Sequence, residues 1–180
     1  MPDSLARKAI LLDRDGTLIV DKVYLNDPEK IEYLPKVFDA LRSLRDSGFI
    51  FVIVTNQSGL SRGLVDIRNL DLIHEKIRAA FAREGVDLLH FYYSPHSPIA
   101  NHYTRKPNPG MLHWAALDFR IDLSRSWMIG DRATDVEAGI AAGSRTVLLK
   151  WPQYDIGESH PQATLTVPGL WEAAYEIRQK

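Results

Sequence analysis

The chain has 180 residues, is 45% hydrophobic and sets 22 Lys+Arg against 23 Asp+Glu for a formal net charge of -1. That length fits one domain over 1–180, and that apolar content supplies a core that a disordered chain lacks. The near-zero charge argues against nucleic acid or an anionic membrane as partner. The absence of cysteine removes disulfides, thiolate zinc sites and a Cys nucleophile.

The first apolar run, "AILLD", reads as a buried strand, and its four apolar residues are too few for a signal peptide or a membrane span. A cytoplasmic protein is the expectation. "VFDALRSLRDSG" spaces Val37, Leu41 and Leu44 as a helix does, with Gly48 as its C-cap. "FIFVIVT" is a second buried strand, rich in β-branched residues. A long amphipathic helix follows, capped by Asp66 and ending near Gly85, and "LLHFYYS" is the third strand. "PGMLHWAALDF" opens a helix with Pro109 in its first turn. "SWMIGD" is a fourth strand, "ATDVEAGIAAG" a helix ending near Gly143 and "RTVLLK" a fifth strand. "ATLTV" and "PGLWEAAYEIRQ" read as a last short strand and a closing helix, and the four tryptophans 114, 127, 151 and 171 read as core in preference to interface.

Strands that are continuous apolar runs, alternating with helices, predict an α/β fold with a mostly parallel sheet flanked by helices. Such sheets place their sites beyond the carboxyl ends of the strands. Polar clusters stand at those positions: Asp13-Arg14-Asp15-Gly16-Thr17, Thr55-Asn56-Gln57-Ser58-Gly59, Arg105-Lys106-Pro107, and Gly130-Asp131-Arg132 with Asp135. Together they hold carboxylates, a hydroxyl, an amide and a lysine, the inventory of phosphoryl transfer assisted by a hard cation. No Gly-x-x-x-x-Gly-Lys-[Ser/Thr] stretch supports a P-loop ATPase.

In order and in kind, the four clusters resemble the motifs of the haloacid-dehalogenase-like (HAD) phosphatase superfamily. "TNQSGLSRG", "RKPNPGM" and "DRDGTLIVDKVYL" resemble in particular its heptose-bisphosphate and histidinol-phosphate phosphatases. The resemblance implies a Rossmann-like HAD fold with no large cap domain, Mg²⁺ as cofactor and a small phosphorylated metabolite as substrate. Asp13 is then the nucleophile and Asp15 the group that protonates the leaving oxygen and later takes a proton from water. Thr55 and Lys106 would meet the phosphoryl oxygens. Asp13, Asp131 and the Asp15 backbone carbonyl would hold Mg²⁺, with Asp135 beside them. Asp21, Tyr24, Asn56, Gln57, Ser58, Arg62, Arg105 and Arg132 are candidate substrate contacts. Arg14 is expected to point elsewhere, without a chemical role, and Thr17 to bond locally.

The chain departs from the resembling enzymes in one loop. Where they carry a Cys-x-His … Cys-x-Cys zinc site, this sequence reads "SPHSPIANHYTRK". Ser94 and Thr104 replace two cysteines, His96 keeps the histidine position, and His102 stands near the third cysteine. Two imidazoles without thiolates make a poor tetrahedral site, so zinc is not expected. The functions this resemblance admits are a heptose-bisphosphate phosphatase or a histidinol-phosphate phosphatase, in a monomer or small homo-oligomer. A nucleic-acid 3′-end phosphatase shares the "TNQ" and "RKP" cues but lacks the basic stripe such a partner requires. A non-catalytic phosphate-binding module is disfavoured by the intact acids and lysine.

Overall fold

In the computed structural model, which describes residues 6–151 and 158–180, each predicted apolar run is a strand. They are β1 (Ala9–Leu12), β2 (Ile50–Asn56), β3 (Leu88–Ser94), β4 (Trp127–Gly130), β5 (Arg145–Leu149) and the short β6 (Leu165–Val167). They pair in the order β3-β2-β1-β4-β5-β6, with every pairing parallel. The helices are α1 (Val37–Asp46), α2 (Ile67–Arg83), α3 (Gly110–Phe119), α4 (Ala133–Ala142) and α5 (Leu170–Arg178).

Strand side chains alternate faces, and the two faces carry two cores. Ile10, Leu12, Phe51, Ile53, Trp127 and Ile129 face α1, α2 and α5 through residues such as Leu41, Ile77 and Ile177. Ala9, Leu11, Val52, Val54 and Met128 face α3 and α4 through Met111, Leu112 and Ala138. Each buried aliphatic or aromatic side chain of this kind contributes about 1.5–3 kcal/mol. Asp66 caps α2 as predicted, accepting from Arg68 N at 2.7 Å, a contact worth about 1 kcal/mol. Gly48 lies one residue past the cap of α1, which is Ser47.

Two of the tryptophans depart from the core assignment. Trp127 and Trp151 are buried, but Trp114 is 45% and Trp171 37% exposed. They sit on the outer sides of α3 and α5, where Trp171 receives the Lys36 ammonium 5.9 Å from its ring. The sequence also gave no sign of three one-turn 3₁₀ helices, Pro28–Lys30, Pro98–Ala100 and Leu123–Arg125. Three residues are too few for periodicity to register.

Strand order reverses between β1 and β4, which opens a crevice at their carboxyl ends. Among the described residues, the stretches after β1 and β3 hold turns, isolated β-bridges and 3₁₀ segments before α1 and α3 begin, and neither contains a cap-sized insertion. Among the described residues no helix is long and apolar enough to cross a membrane.

Candidate active site

Asp13 sits at the reversal point. Its N–H donates to Ile129 O at 2.9 Å, which carries the β1–β4 ladder one residue past the strand and fixes the carboxylate at the sheet edge. Asp131 directly follows β4, which ends at Gly130. Carboxylate oxygens of Asp13, Asp131 and Asp135 lie within 4.8 Å of one another, and all three residues are buried. Gly16, at φ 71°, makes the approach possible, because a Cβ there would come within 2.3 Å of Asp131 Oδ2.

Lys106 enters the cluster from the segment before α3. Its Nζ lies 3.1 Å from Asp13 Oδ1 and 2.6 Å from Asp135 Oδ1. Asn56 holds the lysine's backbone from both sides: its Nδ2 donates to Lys106 O at 3.0 Å and its Oδ1 accepts from Lys106 N at 3.1 Å. The Asn56 side chain is therefore spent on placing the lysine. Asp135 Oδ2 accepts from Arg132 N at 3.0 Å, so one oxygen of Asp135 takes a hydrogen bond and the other the Lys106 ion pair.

Burial raises the Asp131 carboxyl to about 8, with the Asp13 and Asp135 charges adding to it. Burial likewise lifts Asp13 to about 6, even though Lys106 pulls it down. Burial also disfavours the Lys106 ammonium, but Asp13 and Asp135 outweigh it and raise its pKa. Three carboxylates thus face one ammonium, and Asp131 Oδ1 is buried with no hydrogen-bond partner among the described residues. A surplus of desolvated carboxylate and an orphaned oxygen fit a hard divalent cation such as Mg²⁺. The Asp15 carboxylate lies outside this cluster.

Asp15 is instead gripped by Arg14, against the expectation that Arg14 points away. Residues 14–19 fold into a tight turn in which Arg14 O accepts from Leu18 N at 2.9 Å, and this turn lets adjacent side chains meet. The buried guanidinium donates to Asp15 through Nη2 at 3.0 Å to Oδ1 and 2.8 Å to Oδ2, and through Nε at 3.1 Å to Oδ2. Its Nη1 lies 3.2 Å from His74 Nε2 on α2. Burial and the Arg14 charge drive His74 down to about 3, so the ring is neutral and accepts. Gln57 Nε2 donates to both Asp15 Oδ2, at 2.9 Å, and Thr55 Oγ1, at 3.0 Å. Thr17 bonds locally through its backbone, its N–H donating to Arg14 O at 3.4 Å, while its buried hydroxyl has no hydrogen-bond partner among the described residues. The same turn is tied to the segment just past β5 by Trp151 Nε1, which donates to Gly16 O at 2.9 Å.

A cavity of about 290 Å³ opens above these groups. Asp13, Asp15, Asp21, Tyr24, Thr55, Asn56, Gln57, Ser58, Arg105, Lys106 and Arg132 line it, so nearly all the candidates converge. Arg62 does not line it. It hydrogen-bonds the Tyr24 hydroxyl and stacks its guanidinium 5.3 Å from that ring, backing the wall rather than forming it. Arg132 Nη2 reaches Asp21 Oδ2 at 2.9 Å across the mouth. Burial and the Arg132 charge lower the Arg105 pKa, the mark of two guanidiniums facing one space. Thr134 and Glu158 also line the cavity and were not read from the sequence. Glu158 accepts from Ala133 N at 2.9 Å, a contact from the β5–β6 connection that no local pattern announces.

The loop at 94–104 is closed without thiolates. Thr104 Oγ1 lies 3.3 Å from Ser94 Oγ and 2.8 Å from His102 Nδ1. The His96 and His102 rings stack 3.6 Å apart at 21°. Hydroxyls and face-to-face imidazoles do not converge lone pairs on one point, so these residues do not fit zinc. The loop still places Arg105, whose Nη1 donates to His96 O at 2.8 Å.

Comparison with known proteins gives a consistent picture. Residues 103–173 match the HAD-hydrolase-like family model. The D-glycero-beta-D-manno-heptose-1,7-bisphosphate 7-phosphatase of Pseudomonas putida is 34% identical over 173 residues, covering 94% of this chain and 99% of that protein. The Escherichia coli K12 enzyme of the same name is 39% identical over 148 residues, 78% of each chain. The crystal structure of D,D-heptose 1,7-bisphosphate phosphatase from B. bronchiseptica, complexed with magnesium and phosphate, superposes with a TM-score of 0.85 at 31% identity. That match covers 96% of this chain and 98% of the other.

Proposed function

This chain belongs to the HAD-like phosphatase superfamily and is an enzyme, and on that premise we propose that it removes the 7-phosphate of D-glycero-D-manno-heptose 1,7-bisphosphate. The observation that carries the reading is the meeting of Asp13, Lys106 and Asp131 at the strand-order reversal, beneath a cavity with two guanidiniums on its wall. A relative with that printed activity spans 94% of the chain.

In this mechanism an Asp13 carboxylate oxygen attacks phosphorus, the bond from phosphorus to the sugar oxygen breaks, and that oxygen takes a proton from Asp15. The product of the first step is an aspartyl-phosphate. Water then attacks phosphorus, Asp15 accepts the water's proton, and phosphate leaves with Asp13 regenerated. Thr55 Oγ and the Lys106 ammonium stabilise the phosphoryl oxygens. Asp13, Asp131 and the Asp15 carbonyl would hold Mg²⁺, with Asp135 outside them, and the bound ion neutralises phosphoryl charge. Arg105 and Arg132 suit the second phosphate of a bisphosphate.

Steady-state kinetics on a panel of phosphate esters, with Mg²⁺ and with chelator, tests the reading. The expected result is the highest kcat/KM on the heptose bisphosphate and no turnover with chelator. A preference for histidinol phosphate would replace the substrate, steep salt-dependent turnover of DNA 3′-phosphates would replace the partner class, and equally poor turnover of all would remove both. We take the protein to be a single-domain, cytoplasmic, zinc-free enzyme, monomeric or a small homo-oligomer. Stoichiometric zinc in protein purified without added zinc would overturn the zinc-free part.

A further inference from the structure

Asp15 has more donors on one oxygen than on the other. Oδ2 receives Arg14 Nε at 3.1 Å, Arg14 Nη2 at 2.8 Å and Gln57 Nε2 at 2.9 Å, whereas among the described residues Oδ1 receives only Arg14 Nη2, at 3.0 Å. A carboxylate offers about four lone-pair sites, about two per oxygen. Oδ2 is therefore saturated and Oδ1 keeps a free site. Arg14 is itself fixed, being 1% exposed, with Nη1 directed to His74 Nε2 at 3.2 Å. His74 is in turn stacked on Phe91, 4.6 Å away at 24°. A side chain of α2 thus sets the orientation of a group at the end of β1.

We infer that Arg14, backed by His74, is a positioning residue that fixes the rotamer of Asp15 and leaves Oδ1 as the oxygen that carries the proton in the reaction. The inference rests on the acid–base role given to Asp15 above. In the first step Asp15 Oδ1–H gives its proton to the departing alkoxide as the phosphorus–oxygen bond breaks. In the second, Oδ1 takes a proton from the attacking water. Neither Arg14 nor His74 exchanges a proton. The bland alternative is that Arg14 merely neutralises a half-buried carboxylate, and leaving-group dependence separates the two. An alkoxide needs the proton and p-nitrophenolate does not, so only the positioning role makes the loss depend on the ester. kcat/KM reports the first step alone, so the second does not blur the comparison.

The test measures kcat/KM for the heptose bisphosphate, or in its place the fastest alkyl phosphate of the panel, against p-nitrophenyl phosphate. Arg14→Met should lower the alkyl value about 10²-fold, the low end for lost acid–base catalysis, and the aryl value less than about 3-fold. Arg14→Lys keeps the charge without the fork and should recover only part of the alkyl loss. His74→Leu, which removes the acceptor, should show the same ester selectivity at about 10-fold, and His74→Gln, which keeps an acceptor, should return to within about 3-fold. If Arg14→Met does not fold, the His74 pair decides. Equal losses on both esters, or no loss on either, would overturn the positioning role while leaving the phosphatase reading intact. No turnover of any ester by the unmodified protein would overturn both.

Discussion

At the floor of the cavity, Asp13, Lys106, Asp131 and Asp135 are 7%, 1%, 4% and 1% exposed, whereas at its rim the Arg132 side chain is 56% and Asp21 23% exposed. The same interaction, an ion pair between acid and base, has different weight in the two places. On the floor each charge has lost its water, so removing one partner strands the other at a cost of about 3–5 kcal/mol. At the rim, water screens the Arg132–Asp21 pair to about 0–1 kcal/mol, and an incoming phosphate can displace it cheaply. The proposed chemistry thus sits where exchange is costly, and the proposed recognition where exchange is cheap.

The largest effect should come from Asp13→Asn, which removes the proposed nucleophile. Turnover should fall by about 10⁴-fold or more while circular dichroism stays native; retained activity would break the floor's assignment. Lys106→Met should next lower unfolding free energy by about 3–5 kcal/mol in chelator, measured by denaturant titration, because Asp13 and Asp135 lose their shared cation. A loss under about 1 kcal/mol would place that pair with the rim.

Acidity should separate the regions as well. Asp13 and Asp131, raised to about 6 and about 8 from 3.8, hold protons in the folded chain that the unfolded chain has released. The folded state binds more protons above about pH 4, so metal-free stability should decline as pH rises through 6 and 8. Mg²⁺ competes for those same carboxylates, so its stabilisation should grow over the same range. Thermal midpoints with chelator and with Mg²⁺ check this, and parallel curves would refute it. The smallest effect belongs to the rim: Arg132→Ala should raise KM for a bisphosphate about 10-fold, or about 1.4 kcal/mol, with kcat nearly unchanged. A matching fall in kcat would move Arg132 to the floor.

The floor was legible in the sequence because its acids and lysine adjoin apolar runs whose parallel packing brings strand ends together. Arg14 was not, because neighbours in an extended chain point apart, and only the turn at 14–19 brings its fork onto Asp15. His74 shares the buried stripe of α2 with Leu70, Ile73 and Ile77, where a histidine reads as one more core position. Asn56 read as a candidate substrate contact, and its grip on Lys106 depends on how β2 meets a segment fifty residues away. The 94–104 loop read as one without thiolate ligands, and the hydroxyl pair and stacked imidazoles that close it depend on a closure that spacing does not encode.

The position of β1 between β2 and β4 also sets a schedule for the ribosome. Leu11 pairs with Val52 on one side and with Met128 on the other, so the central strand is synthesised first and gains its second neighbour only when most of the chain has emerged. Until then Asp13 lies on an open sheet edge, without the Ile129 carbonyl that fixes it. The proposed catalytic centre is therefore a late product of translation: a nascent chain stalled before Asp131 would have the proposed nucleophile and the lysine but neither of the two acids that complete the floor.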